Sequence, residues 1–264
     1  MSHKDQLQRK IKLPKTPERI VSLVPSQTEL LVDLGLEDKI VGITKFCVHP
    51  KNLRSKKQIV GGTKGIRKDR IKELNPDIIL CNKEENTKEM ISDLENDYQL
   101  HISDVNTLAD AYELIEQYGE LFEVQHKAAE ISKAIKKGEE SFRTYIKEKP
   151  VLKVAYFIWR KPWMVAGGKT FINHLLEINH FKNVYKQTPR YPEIEIDHLK
   201  PVDFVLLSSE PFPFGEKHRQ EILPYAGSSQ IAFVDGEYFS WYGSRLEKAF
   251  QYFKELREEL QLSD

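Results

Sequence analysis

The chain contains one short pattern twice. Residues 74–77 read Leu-Asn-Pro-Asp and lead into the apolar run 78–81, while residues 199–203 read Leu-Lys-Pro-Val-Asp and lead into the apolar run 204–207. Proline ends helices, and an unbroken apolar run of this length is typical of a strand that is buried on both faces. Each copy therefore predicts a helix end, a turn and a strand. Two copies predict two similar α/β lobes and a ligand-binding crevice between them.

The bulk properties agree with two soluble lobes. The chain has 264 residues, enough for two separate cores, and its 40 basic and 40 acidic side chains give a net charge of zero. A neutral chain has no electrostatic attraction to nucleic acid or to an acidic membrane surface, so neither partner is expected. No apolar stretch reaches the ~20 residues of a membrane helix, so membrane insertion is not expected either. A monomer is the expected state.

Cysteine usage and the first residues bear on localisation. Cys47 and Cys81 form no Cys-x-x-Cys zinc pattern and no disulfide framework, which favours a reducing compartment, although a single disulfide stays open. The first ten residues contain no apolar signal-peptide core. As written, the chain is expected to be cytoplasmic. It would be periplasmic or located at the cell surface if it is a trimmed form of an exported protein.

The order of the predicted elements divides the chain into three parts. An N-terminal α/β lobe (1–106) has predicted strands at 20–24, 39–43, 78–81 and 100–102, and Ser26 with Glu29 forms a candidate capping box for the first helix. Residues 107–149 show apolar positions at helical spacing and predict one long helix, or two in line, broken near Gly119. A C-terminal α/β lobe (150–264) has predicted strands at 151–158, 204–207 and 231–234. Alternating strands and helices favour parallel sheets.

Established catalytic signatures are absent from the sequence. We find no GxGxxG, GxxxxGK[ST], HExxH or GxSxG pattern. The Gly-rich turns at 61–63 and 167–170 could cradle an anion at a helix N-terminus, but such turns more commonly supply positive φ angles, which is the interpretation we favour.

Aromatic and polar residues concentrate in loops that follow predicted strands, and this edge of a parallel sheet is the usual ligand side. All three tryptophans lie in these loops: Trp159, Trp163 and Trp241. We expect Trp159, next to its strand, to plug the core of its lobe. We expect Trp163 and Trp241 to contact a flat, apolar ligand.

Three further side chains in these loops have two interpretations each. Cys47 and His49 could ligate a metal, with a third ligand from His218, Glu210 or Glu84, or they could be a buried cysteine beside a surface histidine. Arg245 could clamp an anionic or carboxamide group of a ligand, or pair with Glu210.

These residues lead to a family resemblance that covers nearly the whole chain after residue 18. The chain resembles the periplasmic-binding-protein-like receptors for cobalamin and iron chelates, in which one long backbone helix joins two lobes. The resemblance rests on residues 19–26 (Arg-Ile-Val-Ser-Leu-Val-Pro-Ser), 28–29, 34–35, 39–42, 61–62 and 74–77, and on the second copy at 199–207. It implies two Rossmann-like lobes with parallel sheets that move little relative to each other.

The resemblance also implies roles for particular residues. It places aromatic ligand contacts at Phe46, Trp163, Trp241 and Tyr242, to which we add polar contacts from Glu210 and Arg245. In exported relatives an acidic residue on each lobe docks onto an ABC permease, and the matching positions here are Asp69 and either Glu193 or Glu195. The loops at 46–50, 208–211 and 240–245 depart from the general family pattern, so they predict a subgroup with its own ligand.

The resulting hypothesis is a non-enzymatic substrate-binding protein that holds a corrinoid or another chelated metal, possibly for an ABC transporter. No resident cofactor is required; the ligand would be cobalamin, an iron chelate or a bound transition metal. Two alternatives stay open. One is a cytoplasmic chaperone for a metal or cofactor, and the other is an enzyme that uses Cys47, His49 and Glu210 as nucleophile, base and orienting group.

Overall fold

The chain divides into two compact units, and the computed structural model describes residues 2–261. The first unit consists of Met1–Val105, Ala109–Ile135 and Tyr242–Arg245, and the second of Asn106–Leu108, Lys136–Trp241 and Leu246–Asp264. Tyr242–Arg245 thus cluster with the first unit, although they lie in the segment that was assigned to the C-terminal lobe. None of the helices within residues 2–261 is long and apolar enough to cross a lipid bilayer.

The first unit is built on a parallel sheet of five strands. In chain order its elements are β1 (Ser2–Lys4), β2 (Lys10–Lys12), β3 (Ile20–Ser22), α1 (Pro25–Asp33), β4 (Ile40–Thr44), α2 (Leu53–Lys56), β5 (Gln58–Gly61), α3 (Lys68–Leu74), β6 (Ile78–Asn82), α4 (Lys88–Leu94) and β7 (Leu100–Ser103). The strand order is β5-β4-β3-β6-β7, with every neighbouring pair parallel. The central strands β3 and β6 are buried throughout, as their unbroken apolar runs predict.

The start of α1 differs from the prediction. The N-cap residue is Val24, no side chain caps the helix, and Ser26 lies inside its first turn. The capping box of Ser26 and Glu29 is therefore wrong, because the helix begins one residue earlier, at Pro25, whose fixed φ angle suits the first helical position. The Glu29 carboxylate instead binds an arginine, as described below.

A hairpin of β1 and β2 precedes the sheet and was not predicted. Its turn is organised by Asp5, a fully buried carboxylate that accepts hydrogen bonds from the backbone N–H groups of Leu7 and Arg9. The second carboxylate oxygen accepts from the N–H of Ile102 in β7 at 3.2 Å. The hairpin is therefore attached to the edge strand of the sheet by one buried carboxylate.

The predicted long helix is two helices, α5 (Leu108–Leu121) and α6 (Gln125–Ile146), whose facing ends pack closely, so they are not in line. The break lies near Gly119, as predicted: it follows the end of α5, where Glu123 has φ 58° and the N–H of Val124 donates to the carbonyl of Gly119 at 2.8 Å. This is the Schellman pattern of a helix end. Gly119 itself lies inside α5, where a Cβ atom would come within 2.8 Å of the Ala128 Cβ.

The second unit contains another parallel sheet. Its elements are β8 (Leu152–Trp159), β9 (Met164–Val165), α7 (Phe171–Ile178), β10 (Phe181–Asn183), β11 (Phe204–Ser208), α8 (Glu216–Ile222), β12 (Gln230–Val234), α9 (Gly236–Ser240) and α10 (Leu246–Glu259). The order is β10-β8-β11-β12, all parallel, and β9 folds back antiparallel onto β8. The prediction of an α/β fold with two parallel sheets and a long helix is confirmed.

The repeated sequence pattern has the same structural role in both units. The Asp77 carboxylate accepts hydrogen bonds from the N–H groups of Glu18 and Arg19, at 2.8 and 2.9 Å, just before β3. In the second unit Asp203 accepts from the N–H of Lys153, at the start of β8, at 2.6 Å. Each aspartate thus satisfies backbone donors at the amino end of the neighbouring strand and fixes the register of the two strands.

Candidate functional site

The carboxyl edge of the first sheet exposes one large aromatic ring. Phe46 follows β4 and is 48% exposed, and the ammonium of Lys45 lies 5.0 Å from the centre of its ring. A Cβ atom at Gly62 would come within 3.1 Å of the ring, so the glycine leaves room for it. An exposed ring at the ligand edge of a parallel sheet is available for stacking.

The Gly-rich turns satisfy backbone constraints. Gly61 has φ 133°, as the favoured interpretation predicts, and Gly62 donates its N–H to the carbonyl of Gly65 at 2.7 Å. In the second unit Gly167 and Gly168 donate to the carbonyls of Arg190 and Thr188, each at 2.8 Å. Glycine is required at these two positions for a different reason. A Cβ atom on either residue would lie within about 2.1 Å of a carbonyl oxygen, so the close approach of the two backbone segments leaves no room for a side chain.

Cys47 lies inside the first unit. Its side chain is fully buried, and its Sγ is 3.1 Å from the hydroxyl of Thr28 and 3.3 Å from that of Thr44. Burial raises the pKa of the thiol, although the two threonines oppose this shift. A thiol in this setting is a poor source of thiolate, the form that attacks substrates and binds metals.

The Cys47–His49 metal site stays a prediction. His49 is half-buried, and it lies close enough to Glu29 to oppose the rise that burial causes in the pKa of that carboxyl. Within residues 2–261, the group whose three ligand atoms lie within 4.8 Å of one another is Glu195, Asp197 and His198, and all three are exposed. That group does not include the predicted pair.

Tyr242 belongs to a buried polar network of the first unit. Its hydroxyl lies 3.3 Å from Nε2 of Gln27, which also donates to the Ser103 hydroxyl at 2.5 Å. The hydroxyl of Tyr118 donates to the other end of the Gln27 amide at 2.7 Å. Burial raises the pKa of Tyr242, so the phenol stays neutral. Sequence reasoning missed Gln27 and Tyr118, because neither lies in a loop and their proximity depends on folding.

Arg245 pairs with Glu29. Its Nε and Nη2 contact the two carboxylate oxygens of Glu29 at 2.8 and 2.7 Å, and the side chains are only 10% and 17% exposed. Burial raises the pKa of Glu29, and the guanidinium partly offsets that shift. The pair attaches the segment Tyr242–Arg245 to α1.

Two predicted site residues of the second unit meet at the carboxyl edge of its sheet. The indole N–H of Trp241 donates to the Glu210 carboxylate at 2.7 Å, and Trp241 is only 5% exposed. The backbone of Glu210 is held by Ser208, whose hydroxyl donates to the Glu210 carbonyl at 2.6 Å and accepts from the Tyr156 hydroxyl at 3.0 Å. The loops after β11 and β12 are therefore joined through one tryptophan.

Of the other two tryptophans, Trp159 is the more exposed, and the role of Trp163 as a ligand contact stays a prediction. Trp163 is half-buried, packs against the core of the second unit and stacks on Phe214 with ring centres 6.2 Å apart and planes within 6°. Trp159 is 39% exposed, and its ring contacts Phe212 edge to face at 5.6 Å. The expectation that Trp159 plugs the core is wrong, because it ends β8 beyond the last residue that the core covers.

The predicted docking residues are all exposed. Asp69 lies in the first turn of α3, where a carboxylate is favourable to the helix dipole. Glu193 and Glu195 precede β11 in the second unit, and Glu195 contacts His198 at 3.0 Å. Their role in docking stays a prediction.

Known proteins resemble this chain along most of its length. A family model described as periplasmic binding protein matches residues 20–207. An uncharacterized ABC transporter substrate-binding lipoprotein of Bacillus subtilis is 28% identical over 66% of this chain and 57% of its own length. A vitamin B12-binding protein of Vibrio campbellii is 27% identical over 69% of this chain and 66% of its own length. The chain thus spans less than two thirds of these curated relatives.

The fold has a close counterpart among solved structures. The periplasmic vitamin B12 binding protein of Vibrio cholerae superposes with a TM-score of 0.79 at 19% identity, covering 94% of this chain and 99% of the other. At this identity the similarity establishes the fold alone.

Proposed function

Because the chain belongs to the periplasmic binding protein family, we propose that it is a substrate-binding protein for a metal chelate of the corrinoid class. The single observation that carries this proposal is the family match together with the vitamin B12-binding name of a relative. The exposed aromatic rings at the carboxyl edges of the sheets support it, because a corrin presents a flat face that aromatic side chains can cover.

We assign different tasks to the site residues of each unit. In the first unit Phe46 stacks on the ligand, while Tyr242 and Arg245 hold the loop that supplies further contacts. In the second unit Trp159 stacks on the ligand, Glu210 accepts a hydrogen bond from it, and Trp241 and Trp163 position these loops. Ligand specificity then comes from few polar groups on an apolar surface.

The protein functions by binding and not by catalysis. The alternative enzyme needs Cys47 as an activated nucleophile, but burial raises the pKa of that thiol, whereas activation requires a lowered value.

We further propose that the chain delivers its ligand to an ABC permease on the outer side of the cytoplasmic membrane. The lipoprotein relative, named as a substrate-binding component of an ABC transporter, supports this assignment. Asp69 and the pair Glu193 and Glu195 are the docking residues, and their exposure leaves them accessible to arginines. Asp69→Arg should abolish stimulation of the permease ATPase in vesicles without changing ligand affinity. The control is Asp97→Arg, which changes another exposed acid and should stimulate the ATPase like the wild type.

A thermal-shift panel tests the ligand class. The purified chain is heated with cobalamins, hemin, ferric siderophores and free divalent metals in separate wells. A ligand present at 100 times its dissociation constant adds ~2.7 kcal/mol to the free energy of unfolding, which raises the melting temperature visibly. A shift with a cobalamin is the expected result. A shift with free metal alone, lost in Cys47→Ser, would replace the chelate by a direct metal site.

A further inference from the structure

The second unit contains a cavity that the proposed function does not use. Its volume is about 580 Å³, within the range of small-molecule sites, and its lining residues include Lys153, Lys182, Lys186 and Lys200. The one acidic residue in the wall is Glu177. Four of the ten lining residues are therefore cationic, and one is anionic.

This cavity lies at the opposite edge of the sheet from the candidate ligand site. Lys153 is near the amino end of β8, Lys182 is in the short strand β10, and Lys200 precedes β11. Trp159 is the last residue of β8, and Glu210 follows the carboxyl end of β11. In parallel strands the two ends lie at opposite edges of the sheet, so the two sites of this unit are separate.

The pairing of strands β8 and β10 places two of the lysines side by side, where their charges repel each other. Lys153 and Lys182 are direct register partners on the neighbouring parallel strands β8 and β10, so their side chains project from the same face. Like charges placed directly opposite each other destabilise a sheet. Within residues 2–261 neither ammonium has an ion-pair partner, and both side chains are exposed. An anion bound between them would remove this repulsion.

The remaining lysines are held in place by their surroundings. Lys186 contacts Glu177 at 2.7 Å, and Glu177 is itself fixed by the amide of Asn173 at 2.8 Å. The Lys200 ammonium donates to the carbonyl of Val184 at 3.2 Å. Immobilised cations lose little conformational entropy when they bind a further group.

A buried arginine lies near Phe181, on the face of β10 opposite to the side chain of Lys182. The guanidinium of Arg257 lies 4.8 Å from the ring centre of Phe181, and Phe181 lines the cavity. Arg257 is fully buried and donates to the carbonyl of Pro150 through Nη2, whereas its Nε and Nη1 have no hydrogen-bond partner among the described residues. The field of this cation is only weakly screened, because it lies away from water.

We propose that this cavity binds a small polyanion that carries at least two phosphate or carboxylate groups. The shape favours a small molecule over a membrane, since a membrane surface cannot enter a concave site. The apolar residues Val184 and Pro201 also line the cavity and suit a ligand with a carbon skeleton between its anionic groups. The site would make this binding protein responsive to a soluble phosphorylated or polycarboxylic metabolite.

Calorimetric titration with inorganic tripolyphosphate and with citrate tests the proposal. At low ionic strength we expect saturable binding of at least one of them. Lys153→Gln with Lys182→Gln should weaken it roughly tenfold, because each exposed charge pair accounts for up to about a fivefold change in affinity. The control is Lys137→Gln with Lys147→Gln, which changes the same net charge at exposed positions of the same unit outside the cavity. The control should bind like the wild type.

Stability without ligand gives a second readout. Lys182→Gln alone should raise the melting temperature in the absence of anions, because it removes the like-charge pair, and tripolyphosphate should then stabilise it less than the wild type. Equal binding by the control and cavity variants, or no binding of either anion, would overturn the proposal. Anionic lipid vesicles provide a further arm: binding to vesicles alone, lost in the cavity variant, would replace the small polyanion by a membrane surface.

Discussion

The guanidinium of Arg245 and the carboxylate of Glu29 form a two-point ion pair across 216 residues of sequence, with Nε–Oε2 and Nη2–Oε1 distances of 2.8 and 2.7 Å. Both side chains are largely shielded from water. The parallel, two-point geometry is one that arginine provides and lysine does not. The pair therefore fixes the Tyr242–Arg245 segment on the first unit and sets the direction in which its backbone runs.

Arg245→Met should destabilise the first unit by about 2 kcal/mol at pH 7, because it leaves the Glu29 carboxylate largely buried without its partner. The loss should shrink in acid. Burial already raises the pKa of Glu29 above its ordinary value of 4.5. Ionisation of the Glu29 carboxylate therefore costs stability at pH values above its folded pKa. It costs none below pH 4.5, where the carboxyl is protonated in the folded and the unfolded chain. Denaturant titrations at pH 7 and pH 4 measure both values.

The matched variants separate geometry from charge. Arg245→Lys keeps the charge and should still lose part of the stability, while Glu29→Gln combined with Arg245→Met should lose less than Arg245→Met alone. A loss for Arg245→Met that is the same at both pH values would contradict the assignment of Glu29 as the group left unpaired.

The buried imidazole of His101 should make the first unit acid-sensitive. Burial lowers its pKa to about 4, while the hydrogen bond to Gln117 opposes this shift. The unfolded chain then binds a proton more readily than the folded chain between pH 6.5 and 4, so stability falls as the pH falls through this window. The total loss is up to about 3 kcal/mol. Urea titrations of His101→Phe should show a flatter pH dependence, and His126→Gln, an exposed histidine, should keep the wild-type slope.

Cys47 and Cys81 should resist alkylation in the native protein. Burial raises the pKa of both thiols, so almost no thiolate forms at pH 8, and access is blocked as well. Iodoacetamide labelling followed by mass spectrometry should modify both only after denaturation. Rapid labelling of native Cys47 with an acidic apparent pKa would instead support the enzyme alternative.

Gly119→Ala should destabilise the first unit by about 1 kcal/mol. Alanine favours the helix by up to ~1 kcal/mol, but overpacking costs ~1–3 kcal/mol, and the new Cβ would lie 2.8 Å from the Ala128 Cβ. Gly65→Ala, where the new methyl group meets open space, is the control and should be neutral or slightly stabilising. Ala128→Gly is then added to Gly119→Ala. If the double variant does not recover part of the lost stability, the close approach of the two Cβ atoms is not the cause of the loss.

The parts of the fold that sequence reasoning predicted have local signals. The two Pro-Asp turns and the apolar runs that follow them identify β6 and β11, and helical periodicity identifies α5 and α6. The short edge strands β5 and β10 were missed. Their residues alternate between exposed and buried over only three or four positions, which is too short a pattern to recognise.

The site was predictable in composition but not in arrangement. Its loops could be recognised because they follow strands and are rich in aromatic residues. Which ring is exposed depends on partners elsewhere in the chain. Trp241 donates to the Glu210 carboxylate and is buried, whereas Trp159 stays 39% exposed. Glu29 looked like a capping residue because its partner lies in a distant loop. Such long-range pairs follow only from the folded chain.

The most direct test of the proposed function is a calorimetric titration of cobalamin into the wild type, Phe46→Ala, Trp159→Ala and Phe233→Ala. Phe233 is 41% exposed in β12 and provides an aromatic control of similar exposure to Trp159. We expect the wild type to bind, the Phe46 and Trp159 variants to bind about tenfold more weakly at unchanged melting temperature, and the control to match the wild type. No binding by the wild type, or equal affinity in all four proteins, would contradict this account.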